Sequence, residues 1–328
     1  MPEDEDLAQI EWHWRDWTST ESLTLVTGDE ESLKTLFLMT LATATAGAVR
    51  ICDLSPDAGA ALPDDDTDLL DGPVIYISAE NGQWEEKRRY SAIRRGLGLT
   101  APLLHPFHFV DGSALSLRLA RPTPYDYGLG DFADAEMIPE VDELFETIEQ
   151  VKPRMIVFDT ITHLADLSNE NDNSVVRRFL KERLLPAARE HGAAVYVVLH
   201  PPKHSSAPGA PPRSEVRGAG AWRHAADTTL VLQRAPALGP DAATITLSKV
   251  RRGPKHSRRI GFRVTDGPKP TKIIKAVMSV EFIPLTSSAP TPHPGQAVLQ
   301  ALQTLGGSRT RQEIAEGPSC RATGSGTV

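Results

Sequence analysis

Gly28, Lys34 and Thr35 in the stretch 'TGDEESLKT' stand at the spacing of a phosphate-binding loop, between the apolar run 'SLTLV' and a long apolar segment. Such a loop works because successive backbone N–H groups at the start of a helix converge on an anion, and the helix dipole adds positive potential. In the pattern G-x-x-x-x-G-K-[ST] the lysine reaches the β- and γ-phosphates and the hydroxyl binds Mg²⁺. Here Ser32 and Leu33 precede the lysine, so a leucine occupies the second glycine position. Leucine can hold ordinary helical dihedrals there if its side chain turns away from the phosphates. Asp29, Glu30 and Glu31 oppose an anion unless they face solvent or another charge offsets them. By spacing alone the match is weak, since any strand, turn and helix could carry these letters.

Three further residues end apolar runs: Glu80 closes 'VIYISAE', Asp159 closes 'RMIVFD' and His200 closes 'VYVVLH'. A carboxylate such as Asp159 can hold Mg²⁺ through water. Glu80 is suited to orient or deprotonate an attacking water. His200 could hydrogen-bond a γ-phosphate and report its loss. Singly, each has a plainer reading: a polar strand end, a helix-start carboxylate before Gln83, a structural histidine. Together they mark the carboxyl edge of a sheet, where ligands bind in open α/β folds. The cofactors expected of the set are ATP and Mg²⁺.

The elements that must position them alternate. Strand-like 'SLTLVTG', 'PVIYISAE', 'HPFHFVDG', 'RMIVFDT' and 'AAVYVVLH' are separated by helical 'LKTLFLMTLATATAGAV', 'QWEEKRRYSAIRRGLGL', 'PEVDELFETIEQV' and 'SVVRRFLKERLLPAAREHG'. That order predicts an α/β core, a mostly parallel sheet with helices on both faces. 'DTTLVLQRA', 'ATITLSKVRR', 'RRIGFRV' and 'AVMSVEFIPL' follow with little helix between them and predict an antiparallel extension. The expected organisation is one domain over 1–285, a Ser/Pro/Thr-rich linker over 286–295, and a final 296–328 that reads as helix, turn, helix. That last piece is either a winged-helix fragment or a disordered tail.

Of 328 residues, 40% are hydrophobic and 24% charged, as in ordinary globular proteins. No apolar run approaches the ~20 residues of a membrane span, the acidic start 'MPEDEDLAQ' is unlike a signal peptide, and no membrane partner is expected. Cys52 and Cys320 lack metal-type spacing and read as free thiols of a cytoplasmic protein. A net charge of −8 argues against coating nucleic acid over the whole surface. Yet from Lys249 to Lys275 the only acid is Asp266, a patch that either attracts phosphates locally or is simply a solvated strand and loop. Trp12, Trp14 and Trp17 are expected to pack a leading segment onto the domain or a neighbouring subunit.

The succession 'TGDEESLKT', 'VIYISAENG', 'IVFDTITHLADLSNENDNS', 'VVLHPPK', 'VRGAGAWRHAADTTLVL' and 'LSKVRRGP' resembles RecA-fold ATPases of the plasmid RepA and DnaB type, the hexameric replicative DNA helicases. The resemblance covers roughly Trp14 to Phe282. It implies a RecA-like P-loop NTPase core in which Lys34 and Thr35 serve phosphate and Mg²⁺, Glu80 is the base, Asp159 the Mg²⁺ carboxylate and His200 the γ-phosphate sensor. Lys249 and Arg251 match the basic pair inserted into a neighbouring subunit's site, and Arg217 is a second candidate for nucleotide or inter-subunit contact. Family members usually carry glycine where this chain has Leu33. In a ring, the loop after Asp159 and the loop 201–215 would face a central channel, with Lys203, His204 and Arg213 against a DNA backbone. The resemblance thus implies a ring-forming ATP-dependent helicase of plasmid, phage or mobile-element replication. Its expected partners are single-stranded DNA, further copies of itself in a hexamer, and a replication initiator or primase. Two alternatives remain open: a weakly hydrolysing nucleotide-binding scaffold or regulator, and a recombination or repair ATPase of the RecA/RadA kind.

Overall fold

The computed structural model describes residues 10–28, 31–51, 69–79, 83–112, 139–161, 180–199, 220–252, 259–266 and 278–284. The chain divides into two units, Met1–Leu285 and Thr286–Val328, and all the described residues belong to the first. The linker expected at 286–295 and the segment 296–328 lie outside the described residues.

The first unit opens with two short strands, β1 (Trp12–Trp14) and β2 (Thr18–Ser19), then β3 (Ser22–Gly28) and helix α1 (Lys34–Gly47). β4 (Val74–Ser78), α2 (Gln83–Gly96), β5 (Phe107–Asp111), α3 (Pro139–Val151) and β6 (Met155–Asp159) follow. A π-helical turn, Leu180–Leu184, leads into the short α4 (Leu185–Glu190). Pro186 lacks the N–H that would answer the Glu182 carbonyl, and the wide turn sits where that bond is missing. Then come β7 (Ala194–Val198), α5 (Gly220–Ala225), β8 (Thr228–Arg234), β9 (Ala242–Val250), β10 (Arg259–Asp266) and β11 (Met278–Pro284).

Among the described residues nine strands form one sheet in the order β11-β10-β9-β8-β3-β7-β6-β4-β5. The strands from β8 through β5 pair in parallel, while β9, β10 and β11 add antiparallel neighbours beyond β8. This is the α/β architecture expected from the alternating pattern. The short α5 was not anticipated; six residues are too few for helical periodicity to show.

Alternation along the central strands sorts side chains onto two cores. Leu23, Leu25, Ile75, Ile77, Ile156 and Phe158 face the side that also holds Leu144, Ile148 and Trp222. Val26, Val74, Tyr76, Val157 and Tyr196 face the other, with α1 and the aromatic group Phe37, Phe262 and Phe282. α1 is buried nearly all round, and its threonines survive there because Thr40, Thr43 and Thr45 return their hydroxyls to the carbonyls of Leu36, Met39 and Leu41.

The leading segment packs on the domain, as the tryptophans suggested. Trp14 and Trp17 are buried and stack with centroids 4.6 Å apart, and Trp14 meets Phe37 and Phe282. Between them and the sheet lies a buried polar chain. Thr18 Oγ1 is 2.6 Å from the Tyr196 hydroxyl, that hydroxyl is 2.8 Å from His13 Nδ1, and His13 Nε2 is 3.2 Å from Thr45 Oγ1. Because Thr45 donates to Leu41, it accepts from Nε2, which assigns Nδ1 as the acceptor of the tyrosine proton. Full burial pushes the His13 imidazole down to about 3, so it is neutral.

The sign of the consequence is fixed. Between the ordinary histidine value and about 3 the unfolded chain binds a proton at residue 13 that the folded chain refuses. Stability is therefore complete above that window and falls as pH drops through it. Urea midpoints measured between about pH 7 and about pH 5 should show a loss approaching ~1.4 kcal/mol per pH unit from this residue. A His13→Gln variant, less stable at neutral pH, should lack that part of the slope.

Candidate functional site

β3 ends at Gly28 with its backbone against β8. A Cβ on Gly28 would lie 2.0 Å from the Leu232 carbonyl oxygen and 2.9 Å from Ser32 Oγ, and φ there is +155°. Glycine is thus required both by space and by conformation. The chain then turns into α1 through two left-handed residues, Glu31 at φ 59° and Leu33 at φ 66°.

The helical dihedrals anticipated for Leu33 are corrected by this geometry: with ψ of 22° it lies in the left-handed region. The loop needs at that position the conformation glycine normally supplies, and leucine adopts it at a cost of roughly 1–2 kcal/mol. Its side chain does turn away from the loop, packing partly buried against the core beside α1.

The acid at Glu31 is met within the chain. Arg234, the last residue of β8, places Nη1 2.7 Å from Glu31 Oε2 and also reaches the Pro240 carbonyl. Nothing in the spacing of the sequence linked residues 31 and 234; only the pairing of β3 with β8 does so. Lys34 is buried at the head of α1, its Nζ donating to the Gly28 carbonyl at 2.9 Å and to Ser32 Oγ at 3.2 Å. Its ammonium therefore sits inside the turn of the loop.

Asp159 ends β6 and is 1% exposed. Two strands' pairing brings β4 beside it, and the fully buried Tyr76 donates its hydroxyl to Asp159 Oδ2 at 2.7 Å. The same hydroxyl lies 3.5 Å from the Thr35 carbonyl. Burial first, and then the Asp159 charge, raise the Tyr76 phenol well above its ordinary value, so it stays a donor. Sequence reasoning missed Tyr76; the available signal was one hydroxyl-bearing residue in the otherwise apolar run 'VIYI'.

Gly28, Ser32, Leu33, Lys34, Thr35 and Asp159 are thereby brought together at the carboxyl edge. Glu80, His200, Arg217, Lys203, His204 and Arg213 lie outside the described residues. The donor set fits the expected cofactors: a glycine-led turn, a buried ammonium, the Thr35 hydroxyl at the head of α1 and the Asp159 carboxylate held by Tyr76 suit a triphosphate with its Mg²⁺.

Lys249 and Arg251 are elsewhere. β9 runs antiparallel, so Lys249 pairs with Thr229 at the start of β8. Lys249 Nζ donates to the carbonyls of Arg223 and Ala226, both at 2.7 Å, and Arg251 Nη2 donates to that of His224 at 2.6 Å. They cap the C-terminal end of α5, where carbonyls attract cations. Partial burial, and then the Arg251 charge beside it, lower the pKa of the Lys249 ammonium. Asp227 completes the group, 3.7 Å from Arg251 Nη1 and 3.8 Å from Arg252 Nε.

Also at this amino edge, Glu149, Glu190 and His191 offer ligand atoms within 4.8 Å of one another. The depression they line includes Lys152 and Arg154, whose charges oppose a divalent cation, and His191 Nε2 lies 3.3 Å from Glu149 Oε1.

A strand, a glycine-led turn and a helix bearing Lys-Thr, beside a second strand ending in aspartate, define the P-loop class of nucleotide site on a RecA-like core. The family described as an AAA domain matches residues 3–206, and the chain belongs to that family. Among solved structures the chain is similar to a KaiC-like protein from the hyperthermophilic archaeon Pyrococcus horikoshii OT3, at 14% identity over 80% of this chain and 90% of that one, with a TM-score of 0.44. No curated protein matches. No described helix is long and apolar enough to cross a membrane.

The Glu31–Arg234 pair yields a direct test. It is solvent-exposed, so Arg234→Ala should hardly move the thermal midpoint. Freed of its partner, Glu31 should weaken Mg²⁺·ATP binding about threefold at low salt. Glu31→Gln in the same chain should restore it, as read by titration calorimetry.

Proposed function

We propose that this member of the AAA domain family hydrolyses ATP in a ring of identical subunits and uses the cycle to move along single-stranded DNA, as a RepA-type helicase would. The observation that carries the nucleotide part is the Tyr76 hydroxyl, which donates to Asp159 and lies 3.5 Å from the Thr35 carbonyl; it supports a reading in which the Thr35 hydroxyl and the Asp159 carboxylate serve one Mg²⁺. Lys34, from inside the turn, would neutralise the β- and γ-phosphates. Bound Mg²⁺ would add charge neutralisation on the phosphate oxygens. Glu80 would take a proton from the attacking water as it adds to the γ-phosphorus, and the β–γ bridging oxygen would leave with the electron pair on ADP.

The placement of Lys249 and Arg251 supports action on a neighbour. From Asp227, beside which Arg251 sits, to Leu232, opposite Gly28, is five residues along β8. At about 3.3 Å each that is roughly 17 Å, too far for either side chain to reach its own loop. If they touch nucleotide, it is another copy's. Release from the α5 carbonyls would then accompany engagement.

A scaffold or regulator that holds nucleotide with little turnover is the second reading, favoured by the left-handed Glu31 and Leu33, which leave the loop strained before any ligand binds.

ATP turnover with and without single-stranded DNA, beside Lys34→Ala and Glu80→Gln, separates these readings. The motor predicts DNA-stimulated hydrolysis abolished by both changes; Mg²⁺·ATP binding with no turnover in the wild type would establish the scaffold. Action in trans has its own test. Arg251→Ala should lower turnover about a hundredfold or more, and mixing it with Lys34→Ala should recover activity that neither has alone. Mixtures as inactive as their components would remove the trans assignment.

A further inference from the structure

Tyr76 is an anomaly in its strand. Its β4 neighbours Val74, Ile75 and Ile77 are aliphatic and fully buried, and a phenol among them forfeits hydration unless its hydroxyl is answered. Asp159 answers it at 2.7 Å. The ring is clamped as well, stacked on Phe109 at 5.8 Å and 10° and on Phe107 at 6.2 Å and 19°, with Tyr90 against Phe107 in turn. A hydroxyl on a ring so held has a fixed position. That position lies between the carboxylate that ends β6 and the backbone of the residue whose hydroxyl opens α1.

We propose that Tyr76 is a positioning residue for the divalent cation: its hydroxyl sets the separation and orientation of Thr35 and Asp159, and so fixes how much Mg²⁺ the protein needs to hold nucleotide. The inference rests on the nucleotide reading above and adds a role that the phosphate-loop motif does not contain. Three physical effects converge on it. A donor aimed at Oδ2 selects one rotation of the Asp159 carboxylate. It answers a carboxylate oxygen that burial withholds from water. And because the same hydroxyl lies 3.5 Å from the Thr35 carbonyl, a shift of β4 or of α1 would be felt on both sides of the cation.

The test is Tyr76→Phe, which keeps the stacked ring and removes only the hydroxyl. Binding of a fluorescent ATP analogue is followed as Mg²⁺ is titrated, and again in EDTA, with near-ultraviolet dichroism to establish that the variant is folded. The Mg²⁺ midpoint should rise about ten- to hundredfold, the usual effect of losing a partner that orients a metal ligand. Binding in EDTA should stay within about twofold, since the phosphate cradle is untouched. In an Asp159→Asn background the same change should have no further effect on the midpoint. An unchanged Mg²⁺ midpoint in Tyr76→Phe, with normal wild-type binding, overturns the role of Tyr76 alone. An equal loss with and without Mg²⁺, or a loss that persists in Asp159→Asn, assigns the residue to packing and overturns it too. Wild-type protein that binds no nucleotide in any condition overturns the nucleotide reading and this inference with it.

Discussion

The central strands of the sheet are buried on both faces, and that constraint governs the rest. β3, β4, β6 and β7 are wholly buried along their lengths, so their faces can carry packing but little chemistry. Polar groups collect where the strands end. The carboxyl edge receives Gly28, Asp159 and Arg234, and the amino edge receives Asp227, with Lys249 and Arg251 delivered to it by the reversal of β9. One sheet thus carries the glycine-led loop and Lys34 at one end and Lys249 and Arg251 at the other, an arrangement that the proposed head-to-tail ring would use by bringing the two ends of neighbouring copies together.

Local energetics at the carboxyl edge show how a divergent loop is tolerated. Leu33 takes the left-handed turn of a glycine, and its side chain is absorbed by the core beside α1. Glu31 takes another, and its charge is met by Arg234 from an adjacent strand. Each departure has a compensation in a different currency, packing for one and charge for the other. Gly28 has no such latitude, because the Leu232 carbonyl occupies the space a side chain would need.

Much of this was legible in the sequence. β3, α1, β4, β6 and β7 follow from runs of apolar residues with glycine or a polar residue at their ends, and the carboxyl-edge placement of Asp159 follows from its strand. What stayed hidden depends on long-range pairing. The partner of Glu31 lies 203 positions away, and Tyr76 reaches Asp159 across 83. The left-handed state of Leu33 was unreadable for another reason: propensity speaks against it, and the surrounding fold overrides propensity. Lys249 and Arg251 were found by resemblance, and only the register of β9 against β8 shows that they sit at the end away from their own loop.

The central claim is that nucleotide binds where the parallel strands end. Hydrogen–deuterium exchange of the full chain with and without Mg²⁺·ATP tests it most directly. The account predicts new protection in the loop and first turn of α1, from residue 28 to residue 37, and at the carboxyl ends of β4 and β6. It predicts none in the turn between α4 and β7 at the opposite edge. Protection confined to that opposite edge, or none under saturating Mg²⁺·ATP, would contradict it.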